Sequence, residues 1–397
     1  MAPDNHDPAG IDRREFVRRS ALGAVGAGLV AQGIARRIAQ PAVAQDAPAP
    51  KLARRKLGRT GLEVSEIGFG AFGFSNGDLL VAGIEAGMNL IDTAPDYQEG
   101  AAERAIGSVM PKHRKDVILM TKWSVGPGTT KQQLLDSLNG SLERLQTDKV
   151  EIIHVGMVES VDTLQNPAIF EAFNEAKAAG KVGFLGVSSH SGQRAEICRA
   201  AIKDGRFDML CAKHSFPEAD VMKDVLDEAH AKNLGVVVFK VKAGAKPEDV
   251  AGFAPGKSFD VAAAKWALHT EAVQSVCVGI SKYEDIKVYA SVIGLPLDED
   301  ERRGLDAFGA RFAASYCRYC GTCEVACPLA VAVADIMRYR MYAESYGIPG
   351  EASRLYAKLP PERTAAACLG CTGHCLGACP KGLNTRECLL EAHRMLT

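Results

Sequence analysis

The sequence has no excess of charge of either sign. Across 397 residues, 47 Lys and Arg face 48 Asp and Glu, a formal net charge of −1. That gives no electrostatic case for nucleic acid or an anionic membrane, and neither is expected as a partner. A long apolar run is also missing. Ala21 to Ala35 is uncharged but too short and too rich in glycine to span a bilayer comfortably. The twelve cysteines do not follow the pattern of a zinc site, which usually needs two separated C-x2-C pairs and no fourth cysteine before proline. Nor do they suit a disulfide framework, which belongs mainly to small secreted domains.

What is present is two compact cysteine sets. Cys317, Cys320, Cys323 and Cys327 are spaced C-x2-C-x2-C-x3-C and closed by Pro328. Cys368, Cys371, Cys375 and Cys379 are spaced C-x2-C-x3-C-x3-C and closed by Pro380. Three close thiolates and a remote fourth before proline are the ligand supply of a [4Fe–4S] site. The pair of sets resembles a two-cluster ferredoxin, in which the fourth cysteine crosses to the other cluster. That resemblance implies Cys317, Cys320, Cys323 and Cys379 on one cluster, and Cys368, Cys371, Cys375 and Cys327 on the other. The second set departs from it by one extra residue, within Thr372 to His374. Of the remaining cysteines, Cys198, Cys211 and Cys277 lie in apolar or helical surroundings and read as buried free thiols; Cys388 is the fourth outside the sets.

The first fifty residues read as a signal and linker. "DRREFVRRS", Asp12 to Ser20, is similar to a twin-arginine export signature built on Arg13 and Arg14. The Gly-rich run and then "AVAQ", with Ala42 and Ala44 as a cleavage box, complete the order of a signal peptide. Export to the periplasm or the outer face of the cytoplasmic membrane is the expectation, with membrane attachment only through an uncleaved signal. Clusters assembled before export suit a route that carries folded proteins.

From about Val64 to Val292, short β-branched runs alternate with amphipathic stretches. Eight such units predict an α/β fold, a (β/α)8 TIM barrel over residues 51–296, followed by a small helical ferredoxin-like domain over 297–397. A barrel places its chemistry at the carboxyl ends of its strands. There the motifs become specific. "NLIDTAPDYQEGAAERAIG" puts Asp92 at the end of strand 2 and Tyr97 five residues on. "VILMTKW" puts Lys122 at the end of strand 3, and "GKVGFLGVSSHSG" and "VQSVCVGISK" fall on strands 5 and 8.

Together these motifs resemble the aldo/keto reductase family, and the C-terminal segment with "MRYRMYAESYG" resembles its exported, iron–sulfur-bearing branch. The resemblance implies that Asp92, Tyr97 and Lys122 are catalytic, with Tyr97 as proton donor. A tyrosine near pH 10 is a weak acid at neutral pH, and the Lys122 ammonium is expected to lower its pKa. The motif's glutamate is Glu103, two residues later than usual, so the loop carries an insertion. The resemblance also implies NADP(H) as a cofactor, with Ser188, Ser189, Ser281 and Lys282 as binding residues.

Several departures argue against ordinary NADPH use. The family's strand-4 histidine falls at Gly156. His154 lies two residues earlier on the same face, which makes it a core histidine or, with a register shift, a catalytic one. The strand-5 asparagine is Ser189, the strand-6 glutamine Cys211, and the aromatic over the nicotinamide His214. His154, His190 and His214 near one barrel mouth could hold a metal or be bland core and loop residues. Lys240 and Lys242 face either an anionic substrate or a solvated rim. The function expected is an exported iron–sulfur oxidoreductase acting on a small-molecule carbonyl or alcohol, with a redox partner protein. The alternative is a non-catalytic electron relay or docking protein built on a degenerate barrel.

Overall fold

A computed structural model describes residues 52–290, 294–312 and 316–397. The export signal expected within residues 1–50 lies outside them. Eight parallel strands close into a barrel. They are β1 (Ile67–Gly70), β2 (Leu90–Asp92), β3 (Ile118–Ser124) and β4 (Val150–Gly156), then β5 (Val182–Ser189), β6 (Met209–Lys213), β7 (Gly235–Phe239) and β8 (Ser275–Gly279). Each pairs in parallel with the next, and β8 returns to β1 through Val276 opposite Ile67. A helix follows every strand, as a parallel sheet requires of its crossovers.

Local chemistry sets the helix starts. Lys131–Arg144 opens on a capping box in which Thr130 accepts from the Gln133 amide and Gln133 reaches back. Pro167–Ala178 opens on Asn166, whose side chain accepts from the Ala168 amide, with Pro167 in the first turn. The strands' outward residues, such as Phe69, Ile91, Leu119 and Ile153, pack with helix residues such as Leu138, Phe173 and Val225 in one core. The inward residues form a second, smaller core of Leu90, Met120, Ile152, Met209, Cys211, Val237 and Cys277. An antiparallel hairpin, Arg54–Lys56 with Glu63–Ser65, plugs the lower end by adding Leu57 and Val64 to that inner core.

The chain's last segment caps the upper end. It is helical among the described residues: Thr322–Val325, Val333–Glu344, Pro349–Ala357 and Thr385–Leu396. Its own core gathers Tyr319, Val331, Ile336, Met341, Tyr356 and Leu389. Its bonds to the barrel fall on loops that follow strand ends. The Ser345 hydroxyl donates to the Gly244 carbonyl at 2.7 Å, and Arg318 donates to the Pro217 carbonyl at 3.3 Å. The helix Glu299–Phe312 lies beyond the boundary expected at residue 296, yet it belongs to the barrel. Leu305 and Phe308 enter the barrel core, and Lys265 pairs with Glu301 at 2.8 Å.

Candidate active site and cysteine module

Asp92 ends β2 and Lys122 lies near the end of β3, so both reach the upper mouth. The Lys122 ammonium meets Asp92 Oδ1 at 2.7 Å, Oδ2 at 2.9 Å and the Thr93 carbonyl at 2.7 Å. An ammonium has three donors, and these acceptors take all three. Burial works against the Lys122 charge, and the Asp92 carboxylate overcomes it, leaving the lysine pKa above its ordinary value. Tyr97 lies with its ring face 4.8 Å from Lys122 Nζ. Asp92, Tyr97 and Lys122 therefore meet in one place.

The direction of the Tyr97 shift differs from the expectation. Burial pushes it up, outweighing the nearby Lys122, and Asp92 adds to the rise. The cover is aromatic: Phe72 stands edge-on to Tyr97 at 5.1 Å and packs on Tyr342 at 4.6 Å. Tyr342 comes from the capping helix Val333–Glu344. Tyr97 thus keeps its proton at neutral pH.

The loop insertion has a physical form and a use. Gln98, Glu99 and Gly100 have φ of 46°, 56° and 81°, a left-handed turn that costs backbone energy at the two non-glycine residues. The turn aims Glu99 outward, where Oε1 meets Arg354 at 3.1 Å and Lys358 at 3.3 Å in the capping module. Glu103 is structural: fully buried, it accepts from Thr121 at 2.6 Å and Arg144 at 2.8 Å.

His154 is opposite Lys122 in the β3–β4 register and is fully buried. Burial first, then Lys122, lower its pKa to about 3, so it is a neutral core histidine. Gly156 sits above it. A Cβ there would stand 3.1 Å from Lys122 Cβ and 3.3 Å from its Cδ, so the glycine makes room for the lysine stem. His190 packs edge-on to Phe239 at 5.9 Å, and His214 stacks on Trp266 at 4.7 Å. The three histidines do not converge. Among the described residues no group of three or more His, Cys, Asp or Glu is placed to hold one metal ion.

The expected dinucleotide residues are otherwise engaged. The Ser188 side chain bonds Cys211, and the Ser189 hydroxyl donates to the Val158 carbonyl at 2.7 Å. The amides of Ser281 and Lys282 and the Ser281 hydroxyl all donate to Asp285 Oδ2, at 2.9, 3.1 and 2.8 Å. The chain's own carboxylate takes the donors a cofactor phosphate would use. With His214 stacked on Trp266, these residues do not fit a bound dinucleotide. Lys240 is drawn under Tyr342, 3.4 Å from its hydroxyl, and Lys242 pairs with Asp260 at 2.9 Å.

The cysteines fall into two groups by which thiols influence one another's charge. Cys317 responds to Cys323 and Cys320, and Cys323 to Cys320 and Cys379. Cys368 responds to Cys375, Cys327 and Cys371. In each group the fourth cysteine comes from the other sequence set. Cys317, Cys320, Cys323 and Cys379 line one cavity of about 220 Å³. A four-iron cube puts each ligand sulfur on a different iron, so its ligands stand wider apart than those of one ion. Cys198, Cys211 and Cys277 are buried free thiols, as expected.

Sequence reasoning missed a cluster between the two parts. Lys213, inward at the end of β6, meets Glu218 at 2.6 Å; Arg194 meets the same carboxylate oxygen at 3.3 Å, and Arg318 the other at 3.9 Å. Burial lowers the Lys213 pKa to about 8, with Glu218 opposing it. The available signal was parity: Met209, Cys211 and Lys213 share the inner face of one strand.

A family model described as the aldo/keto reductase family matches residues 66–246. The uncharacterized oxidoreductase YqkF of Bacillus subtilis is 32% identical over 154 residues, 35% of this chain, which spans only 49% of that protein. L-galactose dehydrogenase of Arabidopsis thaliana is 26% identical over 296 residues, 64% of this chain and 91% of that one. An aldo-keto reductase from Klebsiella pneumoniae, solved in complex with NADPH, shares the fold with a TM-score of 0.53 and 21% identity. It covers 64% of this chain and 94% of that chain.

Proposed function

We propose that this chain, whose residues 66–246 match the aldo/keto reductase family model, is an exported iron–sulfur oxidoreductase of that type. It acts on a small-molecule carbonyl or alcohol, with electrons passed through two [4Fe–4S] clusters. The observation that carries this reading is the cavity lined by Cys317, Cys320, Cys323 and Cys379, whose fourth cysteine comes from the other sequence set and which the barrel residues Gly192, Arg194 and Glu218 also line. Thiolates are the ligands such clusters take, and the fourth-cysteine crossover is the ferredoxin arrangement.

When bound, the clusters would supply electrons one at a time. A carbonyl takes up two electrons and two protons on becoming an alcohol. Tyr97, kept protonated by burial, holds one of those protons beside the Lys122 ammonium, and Lys122 supplies positive charge where an alkoxide would form. No step is assigned to a nicotinamide, because Asp285 and Trp266 engage the groups it would need.

The outer cysteine group suits a redox partner protein. Val325 and Leu329 flank Cys327, and Leu369 and Leu376 neighbour Cys368 and Cys375; all four are exposed, Val325 at 91%. Export through the twin-arginine signal of residues 1–50 belongs to the same reading.

A second reading, an electron relay on a non-catalytic barrel, is favoured by the capping helix over Tyr97. Iron and sulfide analysis with an ultraviolet–visible spectrum on anaerobically purified protein tests the first. About eight irons and eight sulfides per chain are expected. Stoichiometric zinc without a chromophore overturns it. Carbonyl or alcohol turnover that is lost in Tyr97→Phe separates the enzyme from the relay.

A further inference from the structure

We infer that Lys213, backed by Arg194 and Arg318 on the shared partner Glu218, selectively raises the reduction potential of the inner cluster, on Cys317, Cys320, Cys323 and Cys379. This rests on the proposed iron–sulfur reading and goes beyond it, since neither the cysteine spacing nor the family likeness assigns these residues a task.

The argument begins with an imbalance. Three cations converge on one carboxylate, and the innermost groups are almost fully dry: Lys213 is 0%, Glu218 1% and Arg194 2% exposed. Stability alone would match one cation to one anion, because each buried charge carries a desolvation penalty. The surplus positive charge faces the cysteines. Lys213 Nζ lies over the rings of Tyr316 at 5.1 Å and Tyr319 at 4.8 Å, the residues on either side of the Cys317 loop. Arg194, Glu218 and Arg318 line the same cavity as the four cysteines.

A thiolate-ligated cluster is anionic, and each added electron makes it more so. Burial disfavours that step, and nearby fixed cations favour it. Lys213, itself fully buried, supplies opposing charge with little solvent screening. The outer group differs. Arg386, which donates to the Cys371 carbonyl at 2.9 Å, is itself partly exposed, so water weakens the effect of its charge, whereas Lys213 is fully buried. The effect of Lys213 is therefore local to the inner group, which sits against the barrel and its Tyr97 site.

An EPR-monitored redox titration of the full, anaerobically purified chain tests this. The inner signal is assigned as the one lost in Cys379→Ser. In Lys213→Met, the reduced-to-oxidised ratio of the inner signal at a fixed poise should fall at least tenfold, about 59 mV for a one-electron couple. The outer signal should stay, and Lys213→Arg should restore the inner one. Met still packs under the tyrosines, and Glu218 keeps two arginine partners. Should Lys213→Met fail to load iron, Arg318→Gln at the cavity edge should show a smaller shift in the same direction. An inner signal unmoved in the loaded variants, or equal movement of both signals, overturns the inference. A wild-type chain without iron would instead sink the proposed function itself.

Discussion

Gly192 packs directly against the cysteine module, and Gly192→Ala is a sharp perturbation of that seam. The residue lies in the loop after β5. A Cβ on it would stand 2.3 Å from Cys320 Cα, 2.7 Å from its carbonyl carbon and 2.8 Å from its oxygen. Carbon atoms rest at about 3.5–4.0 Å, so the methyl would be more than about 1 Å too close. The obstacle is backbone, which cannot rotate aside as a side chain would. Overpacking of this kind typically costs about 1–3 kcal/mol. A net hydrogen bond is worth about 1 kcal/mol, so the strain rivals the Ser345–Gly244 and Arg318–Pro217 bonds that hold the same seam. At about 2–4 °C per kcal/mol for a domain of this size, the melting temperature should fall by roughly 2–12 °C. Hydrogen exchange should also rise in the loops around Gly192 and Cys320. Gly252→Ala, where nothing lies within 4 Å, is the control. If Gly192→Ala matches that control in melting and exchange, the packing of the cysteine loop against β5 is wrong.

Three further outcomes are expected. Arg144→Met strands the Glu103 carboxylate with only Thr121, and denaturant unfolding should report a loss of about 3–5 kcal/mol. Lys122→Met leaves Asp92 buried without its cation, so it should destabilise by a similar amount, whereas Tyr97→Phe, which leaves that ion pair intact, should leave the melting temperature within a few degrees. His154 protonates near pH 6.5 when unfolded and only near pH 3 when folded, because burial and Lys122 hold its pKa down. The unfolded chain therefore binds the extra proton between those values, and stability falls as pH drops through that window. From pH 7 to pH 5 the loss due to His154 is about 2 kcal/mol, and His154→Leu should show a correspondingly flatter pH dependence in urea titrations.

The barrel was legible because its strands carry a signal that is local: β-branched runs such as "VEIIHVG" separated by capped amphipathic helices. Asp92 and Lys122 were legible for the same reason, since the end of a strand fixes where a side chain emerges. What required the structure depends on residues far apart in the chain. Tyr97 was expected to be a stronger acid because Lys122 could be seen beside it, whereas Phe72 and Tyr342, which bury it, could not. Ser281 and Lys282 have the composition of an anion site, and only the fold shows Asp285 turned back onto their amides. The packing of the helix Glu299–Phe312 on the barrel needed the structure, because its apolar residues, Leu305 and Phe308, do not reveal in sequence which core they enter. Nothing local in the sequence marks Glu218; Lys213 and Arg194 become its partners only when β6 and the segment after β5 are brought together.

A left-handed Gln98–Glu99 pair carries backbone strain that an open barrel would not repay. Here the turn delivers Glu99 to Arg354 and Lys358, pinning the capping module beside β2. Once the module is pinned, Tyr342 comes down on Phe72, Phe72 on Tyr97, and Lys240 is drawn beneath the Tyr342 hydroxyl. The cover that raises the Tyr97 pKa and the seam that brings Cys320 onto Gly192 are thus consequences of the same docking. The barrel thus keeps Asp92, Lys122 and Tyr97 together, turns the Ser281 and Lys282 amides onto its own Asp285, and carries the cysteine module over the same mouth.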